Sequence, residues 1–317
     1  MRNIETFHIA QHAQVMKRVQ ELSKRSDDIK SRLAVCLKKL WISERKLAIV
    51  TNLDVFADLK LRFPNFIEAI ELYESNAIGL AKLGIPFEAP PILLTGEPGL
   101  GKTLFASELA QAMALPFYEI SMATITASFA LSGSSVQWAE GSPGFIAESL
   151  ADSKVGNPCF MIDEIDKDGG GYKYNPMNVF YSLLENHSAK RFKDEALEVE
   201  LDASRVIWIA TANYPDHVPQ PILSRMRVID IKRPNAEQMK AVVSSIYTSF
   251  RNSKPYGKLL DPAIHESAMD ILRTQSPRQA KLAIDEGCLR VIRDGRSILL
   301  PKDLPTTKKE SFHVGFI

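Results

Sequence analysis

The sequence has little of several features that would assign a protein to a special class. Its 317 residues include only three cysteines, Cys36, Cys159 and Cys288, which are far apart and odd in number. This pattern predicts neither a disulfide framework nor a cysteine metal site, and it favours a reducing compartment. No apolar run is long enough to span a bilayer, and the first residues lack the apolar core of a signal peptide. We therefore expect a soluble, cytoplasmic protein with no membrane partner.

The chain also lacks an excess of charge of either sign. Its formal net charge is +1, so the composition as a whole gives no argument for nucleic acid or an anionic membrane. The first 50 residues differ, with eleven Lys or Arg against five Asp or Glu, a local charge of +6. Apolar residues at 29, 33, 36, 37 and 40 follow a helical period. We favour a helical extension packed on the main body, and the alternative is a docking element for a partner or nucleic acid.

Five short apolar runs alternate with helical segments in the middle of the chain. The runs are "PPILLTG", "PFYEIS", "PCFMIDE", "RVIWIAT" and "RVIDI". Continuous apolar runs separated by helices predict a mostly parallel sheet that is covered on both faces. The fold class is therefore α/β.

After Pro234 the strand signals stop. One helical stripe consists of Met239, Val242, Val243, Ile246, Tyr247 and Phe250. A later helix is predicted to begin at "SPRQ", with Ser276 as N-cap, Pro277 in the first turn and Gln279 three residues after the cap. We predict a helical N-terminal segment over 1–85, an α/β domain over 86–233 and a small helical domain with a tail over 234–317.

The stretch "GEPGLGKT", residues 96–103, lies between the first of these strands and a helix. It matches G-x-x-x-x-G-K-[ST] in the strand–loop–helix context that this phosphate-binding motif requires. Glycines let backbone N–H groups surround phosphate oxygens, and the helix N-terminus adds partial positive charge. Lys102 is predicted to reach the β- and γ-phosphates and the Thr103 hydroxyl to ligate Mg²⁺. The predicted nucleotide-binding residues here are Gly96, Glu97, Pro98, Gly99, Leu100, Gly101, Lys102, Thr103 and Leu104.

Two acids stand at the carboxyl end of the buried run "CFMIDE", where ligands bind in open α/β sheets. We predict that Asp163 holds Mg²⁺ and that Glu164 polarises the attacking water, which makes the chain a hydrolase. Asn213 ends the next buried run, "VIWIATAN". Its amide is predicted to bond the γ-phosphate and the water, although an Asn that only forms a turn is common at this position.

Together these motifs resemble the AAA+ ATPases and, within them, the ATPase module of Lon proteases. The blocks "NPCFMIDEIDK", "NPMNVFYSLLE", "FKDEALEVELDASRVIWIATAN" and "VPQPILSRMRVIDI" occur in the order of that module. The resemblance covers about Pro90 to Arg296. It implies an AAA+ P-loop core with a parallel sheet, an all-helical lid domain, ATP and Mg²⁺ as ligands, and self-assembly into a ring, expected to be a hexamer.

The resemblance to this family implies roles for two arginines. Arg225 in "ILSRM" matches the arginine finger that reaches the nucleotide of a neighbouring subunit, with Arg227 as the second choice and helix capping as the alternative. Arg278 in "SPRQ" matches a lid arginine that contacts phosphate in its own subunit. Without the resemblance Arg278 is an ordinary surface arginine.

The indole of Trp138 lies in "SGSSVQWAEGSPGF", a composition typical of a loop. In Lon-like modules this region carries a pore loop, an aromatic followed by an apolar residue shortly before Pro-Gly, and Trp138 and Ala139 stand at that spacing. Trp instead of Tyr or Phe, and Glu140 instead of Gly, depart from the pattern. The alternative is that Trp138 packs in the core.

The chain ends about 20 residues after Arg296, so we expect no self-contained proteolysis. We predict a chaperone-like remodelling ATPase that threads a protein substrate, for example a HORMA-type signalling protein, with or without an adaptor. A nucleic-acid motor or loader is the first alternative, and only the basic N-terminal segment supports it. A regulatory switch that assembles on nucleotide without threading is the second.

Overall fold

The computed structural model describes residues 6–23, 27–135, 141–167 and 175–305. The chain divides into two compact units. The first contains the residues up to Lys60, Phe66–Pro98 and Lys102–Ile231. The second contains Leu61–Asn65, Gly99–Gly101 and the chain from Lys232 onward. The N-terminal segment therefore belongs largely to the same unit as the α/β core.

The strands of the described residues are short. They are β1 (Thr6–His8), β2 (Glu44–Lys46), β3 (Ile92–Thr95), β4 (Phe117–Ser121), β5 (Cys159–Asp163), β6 (Phe192–Lys193), β7 (Glu200–Leu201), β8 (Ile207–Ala212) and β9 (Arg227–Asp230). Five of them form one parallel sheet in the order β4-β5-β8-β3-β9. These are the five predicted runs, so the predicted α/β fold with a parallel sheet is confirmed.

Among the described residues, helices lie between these strands along the chain, and three more follow the last strand. They are α1 (His12–Leu22), α2 (Asp27–Trp41), α3 (Asp54–Arg62), α4 (Ile67–Leu83), α5 (Lys102–Ala112), α6 (Phe129–Ser132), α7 (Phe145–Asp152), α8 (Met177–Leu183), α9 (Asn186–Ala189), α10 (Gln220–Leu223), α11 (Ala236–Ser253), α12 (Glu266–Leu272) and α13 (Pro277–Arg293). In the described ranges, no helix combines the length and apolarity that a membrane crossing needs.

The central strands are apolar throughout because both of their faces are covered. Every residue of β3 and β8 is buried, and so are the first four of β5. Burial of a Leu- or Ile-sized side chain contributes about 1.5–3 kcal/mol. This rigid sheet holds the carboxyl ends of β3, β5 and β8 side by side.

The N-terminal segment contains the helices α1 to α4, and it also has a short antiparallel two-stranded sheet of β1 and β2 that the sequence did not predict. It packs on the core, since Leu33, Leu37 and Leu40 of α2 are buried in the same apolar cluster as the sheet residues. The Arg45 guanidinium adds a polar contact by donating from Nε to Ser153 O at 2.8 Å. The described part of the segment is thus part of the globular unit.

The second unit is built on α11, α12 and α13. The predicted stripe on α11 is confirmed, with five of its residues buried and Ile246 packed against the same cluster. The predicted start of α13 is also confirmed: Ser276 accepts from Gln279 N, and the Gln279 side chain accepts from Ser276 N. This reciprocal capping satisfies two of the N–H groups that a helix start leaves unpaired.

Candidate functional site

The loop after β3 has a backbone that requires glycine. Gly96, Gly99 and Gly101 have φ angles of +138°, +83° and +93°, which L side chains rarely adopt. The loop ends where α5 begins at Lys102. Around the glycines, Glu97, Pro98 and Leu104 are not buried, whereas Leu100 is buried. Such a loop can direct several N–H groups toward an anion at a helix N-terminus.

Lys102 is buried at the centre of this site. Its Nζ donates to Gly96 O at 2.6 Å, to Glu97 O at 3.0 Å and to Asn213 Oδ1 at 2.9 Å. Burial lowers its pKa, while the negative charges of Asp166 and Asp163 oppose that effect. The fold therefore brings Lys102 and Asn213 together across 111 residues of sequence.

The acid pair lies at the end of β5. Asp163 Oδ1 accepts from the Thr103 hydroxyl at 3.0 Å and from the Thr211 hydroxyl at 2.6 Å. Glu164 has a φ of +53°, in the left-handed region, and its N–H donates to Thr211 Oγ1 at 2.9 Å. A non-glycine residue in this region stores about 1–3 kcal/mol of strain, and such strain is often found at functional sites. Thr211 thus holds both acids, a role that the sequence did not predict.

Asp166 is a second residue that the sequence analysis missed. It is buried, and its Oδ2 accepts from Asn213 N at 3.2 Å and from Tyr214 N at 3.0 Å. Its Oδ1 has no partner among the described residues. Asp166 therefore fixes the backbone of Asn213 and adds negative charge near Lys102.

The residues fit a magnesium ion that arrives with a nucleotide. The Thr103 hydroxyl and the Asp163 carboxylate are hard oxygen ligands that already lie 3.0 Å apart. The described residues hold no group of three or more His, Cys, Asp or Glu placed to bind a metal. An ion at this site would take its remaining ligands from phosphate oxygens and water, as Mg²⁺ usually does.

The two predicted arginines lie in different compact units. Arg225 follows α10, and its guanidinium donates to Pro221 O at 2.6 Å and to Glu185 Oε2 at 3.1 Å. In the single chain it therefore makes the helix-end contact that was the alternative to the finger role. Arg227 begins β9 and pairs with Glu68 at 3.3 Å. Arg278 lies beside Gly99 within the second unit, since a Cβ at Gly99 would be 3.2 Å from the Arg278 Cβ.

The predicted pore-loop residues Trp138 and Ala139 lie outside the described residues.

Comparison with known proteins gives matches over this region. Residues 92–233 match the family described as "ATPase family associated with various cellular activities (AAA)". A mitochondrial Lon protease homolog of Neurospora crassa is 28% identical over 242 residues, which cover 73% of this chain and 22% of that protein. The Lon protease of Malacoplasma penetrans is 35% identical over 138 residues, 44% of this chain and 18% of that protein. The chain thus spans about a fifth of the length of these relatives.

A solved structure gives the same fold. A mutant of RuvB from Thermotoga maritima superposes with a TM-score of 0.52 at 12% identity, over 74% of this chain and 67% of that one. At this identity the similarity concerns the fold alone. The predicted resemblance to AAA+ ATPases and Lon proteases is confirmed by these matches. Residues 92–233 therefore match a family of ATPases, and the chain is similar in sequence to part of the Lon proteases.

Proposed function

We propose that this chain couples ATP hydrolysis to the remodelling of a protein substrate. The observation that carries the hydrolytic part is the convergence of Lys102, Asp163 and Asn213 at the carboxyl ends of neighbouring strands. The acid that follows, Glu164, is held in a strained backbone conformation at the same place. The similarity to Lon proteases, which act on proteins, supports a protein substrate.

In this proposal each residue has one task. Lys102 and the N–H groups of the glycine loop neutralise phosphate oxygens. Thr103 and Asp163 hold Mg²⁺, which stabilises charge on the transferred phosphoryl group. Glu164 orients the attacking water and accepts its proton on a carboxylate oxygen. Because Asn213 Oδ1 already accepts from Lys102, its Nδ2 is the group that donates to water or phosphate.

In this proposal, assembly of several chains into a ring adds an arginine from a neighbouring subunit to the nucleotide site. Arg225 exchanges its contacts with Pro221 and Glu185 for the nucleotide of a neighbouring subunit in a ring, expected to be a hexamer. Both present contacts are partly exposed, so solvent screening keeps the cost of exchanging them low. Arg278, beside Gly99, reports nucleotide state to the helical unit. An arginine supplied in trans adds about 10³–10⁵ in rate in other nucleotide hydrolases, so hydrolysis should depend on chain concentration.

We further propose that Trp138 and Ala139 contact the substrate polypeptide in the ring pore. Stacking and apolar contact discriminate little between side chains, which suits a motor that pulls on many sequences. A HORMA-type signalling protein is one concrete substrate, and nucleic acid is not the expected one. The free, buried cysteines favour a reducing compartment, and we propose the cytoplasm.

The test uses Glu164→Gln, which should bind ATP and assemble but hydrolyse it very slowly. The ring is recovered from cell extract with ATP, and retained molecules are identified by mass spectrometry and by nuclease sensitivity. The matched control is Glu164→Gln/Trp138→Ala. We expect a protein that is retained only when Trp138 is present. Retained nucleic acid, or a protein set indifferent to Trp138, would contradict the remodelling proposal.

A further inference from the structure

Asp194, in the turn between β6 and β7, is a fully buried carboxylate far from the nucleotide site in sequence. Its Oδ1 accepts from Ala196 N and Leu197 N, both at 2.9 Å. Its Oδ2 accepts from Gly144 N at 2.8 Å, across 50 residues of sequence. One oxygen thus closes its own turn, and the other holds a different segment.

Two glycines pack tightly at the same place. A Cβ at Gly133, where φ is +84°, would lie 2.6 Å from Asp194 Oδ1. A Cβ at Gly144 would lie 2.2 Å from Leu131 O. Neither position has room for a side chain, because Asp194 and the chain on both sides of residues 134–143 meet here.

Backbone hydrogen bonds join the same two flanks. Ser134 N donates to Ser142 O at 3.0 Å, and Ser142 N donates to the Ser134 hydroxyl at 3.0 Å. Glu195 N donates to Ser132 O at 2.8 Å, which ties the Asp194 turn to the first flank as well. The two flanks are therefore held at a fixed spacing.

The N-terminal helix α1 supports the turn from its other side. The buried Arg18 donates from Nη2 to Ala196 O at 3.0 Å, and its Nη1 lies 3.1 Å from Glu198 Oε2. Glu198 itself has a φ of +55°. The turn that carries Asp194 is thus fixed by contacts from the N-terminal segment, so Asp194 has little freedom to move.

Burial raises the pKa of Asp194 to about 6, because a charged carboxylate loses its hydration when it is buried. A neutral side chain could accept the same hydrogen bonds in the turn without that cost. Ionisation at neutral pH nevertheless gives three N–H donors one charged acceptor. We propose that Asp194 is a positioning residue: it holds Gly144 and packs against Gly133, and so fixes the described residues on either side of the stretch that contains Trp138 and Ala139. The hydrogen bonds to Asp194 do not depend on the proposed function, whereas the consequence for substrate handling rests on it.

Asp194→Asn distinguishes the roles of the two carboxylate oxygens, because it keeps one as an acceptor and replaces the other with an NH₂ donor. The amide Oδ1 keeps the bonds from Ala196 N and Leu197 N, whereas Nδ2 now faces Gly144 N, so two donors oppose each other. The matched control is Asp202→Asn, because among the described residues the Asp202 side chain accepts only from Ser204 N, through Oδ1 at 2.9 Å. Ser134→Ala is a second variant, which removes the hydroxyl that accepts from Ser142 N and leaves Asp194 unaltered.

Hydrogen exchange of single amides in the full-length protein gives the first readout. For Asp194→Asn we expect exchange at Gly144 to rise on the order of tenfold or more, with Ala196 and Leu197 unchanged. For Ser134→Ala exchange at Ser142 should rise, and exchange at Gly144 should stay unchanged because Asp194 still accepts from it. Unchanged protection at Gly144, or an equal loss at all three amides in Asp194→Asn, would overturn the inference.

The second readout is ATPase activity with and without unfolded casein as a protein probe. Asp194→Asn should keep its basal rate within about twofold and lose the casein-stimulated increment, whereas Asp202→Asn keeps both. A full casein response together with faster exchange at Gly144 would overturn the positioning role. If casein fails to stimulate the wild type as well, the proposed function fails for this probe, and the exchange result alone decides on Asp194.

Discussion

Thr211 offers the sharpest test of how the catalytic acids are held. The residue is 2% exposed, and its hydroxyl donates to Asp163 Oδ1 at 2.6 Å and accepts from Glu164 N at 2.9 Å. Thr211→Val keeps the shape and the β-branching that suit a central strand but removes both bonds. An unsatisfied Glu164 N–H costs about 1–3 kcal/mol, which the peptide relieves by rotating. The displaced Glu164 carboxylate should then lower kcat by about 5- to 150-fold.

Steady-state ATP hydrolysis over a range of ATP concentrations measures this effect. We expect kcat to fall while KM changes by less than about threefold, because Lys102 and the glycine loop stay in place. Thr211→Ser is the matched control, since it keeps the hydroxyl and should recover most of the rate. Wild-type kcat in Thr211→Val, or an equal loss in both variants, would refute the role assigned to Thr211.

Three further predictions concern buried or capping groups. Asp166→Ala should lower kcat about tenfold more than Asp166→Asn, because only Asn retains an acceptor for Asn213 N; equal steady-state rates would contradict this. Burial raises the Asp194 pKa from 3.8 to about 6, so ionisation destabilises the folded state. The free energy of unfolding of the wild type, relative to Asp194→Asn, should therefore fall by about 2 kcal/mol as pH rises from 4 to 6, measured by urea unfolding; a pH-independent difference would refute it. Ser276→Ala should reduce the stability of the helical unit by about 1 kcal/mol and Ser276→Asp should not, as seen by thermal unfolding; equal midpoints would argue against the cap.

The parts of the fold that local sequence determines were predictable. The five strands of the parallel sheet, the glycine loop and the cap at Ser276 each depend on residues within a short window. Glycine at positive φ, continuous apolar runs and reciprocal capping leave direct signals in the sequence. Lys102 was predicted from the phosphate-loop motif, and Asp163 and Asn213 from their places at the ends of buried strands, which share one edge in a parallel sheet.

The remainder depends on contacts between distant residues. Thr211 reaches Asp163 across 48 residues, and Asp194 reaches Gly144 across 50. An isolated Thr in a strand or an Asp in a hairpin turn gives no sign of such a partner. The strands β1 and β2 are only three residues long and contain a single apolar residue, Phe7, so no apolar alternation marked them.

The central claim is that a protein segment contacts position 138 while ATP is bound. The direct measurement places a photoreactive p-benzoylphenylalanine at position 138 of the Glu164→Gln chain and irradiates cell extract with ATP or ADP. The matched control carries the probe at the exposed Ile42, which is 71% accessible. We expect ATP-dependent cross-links to a protein from position 138 and not from position 42. Cross-links to nucleic acid, or the same proteins from both positions, would contradict it.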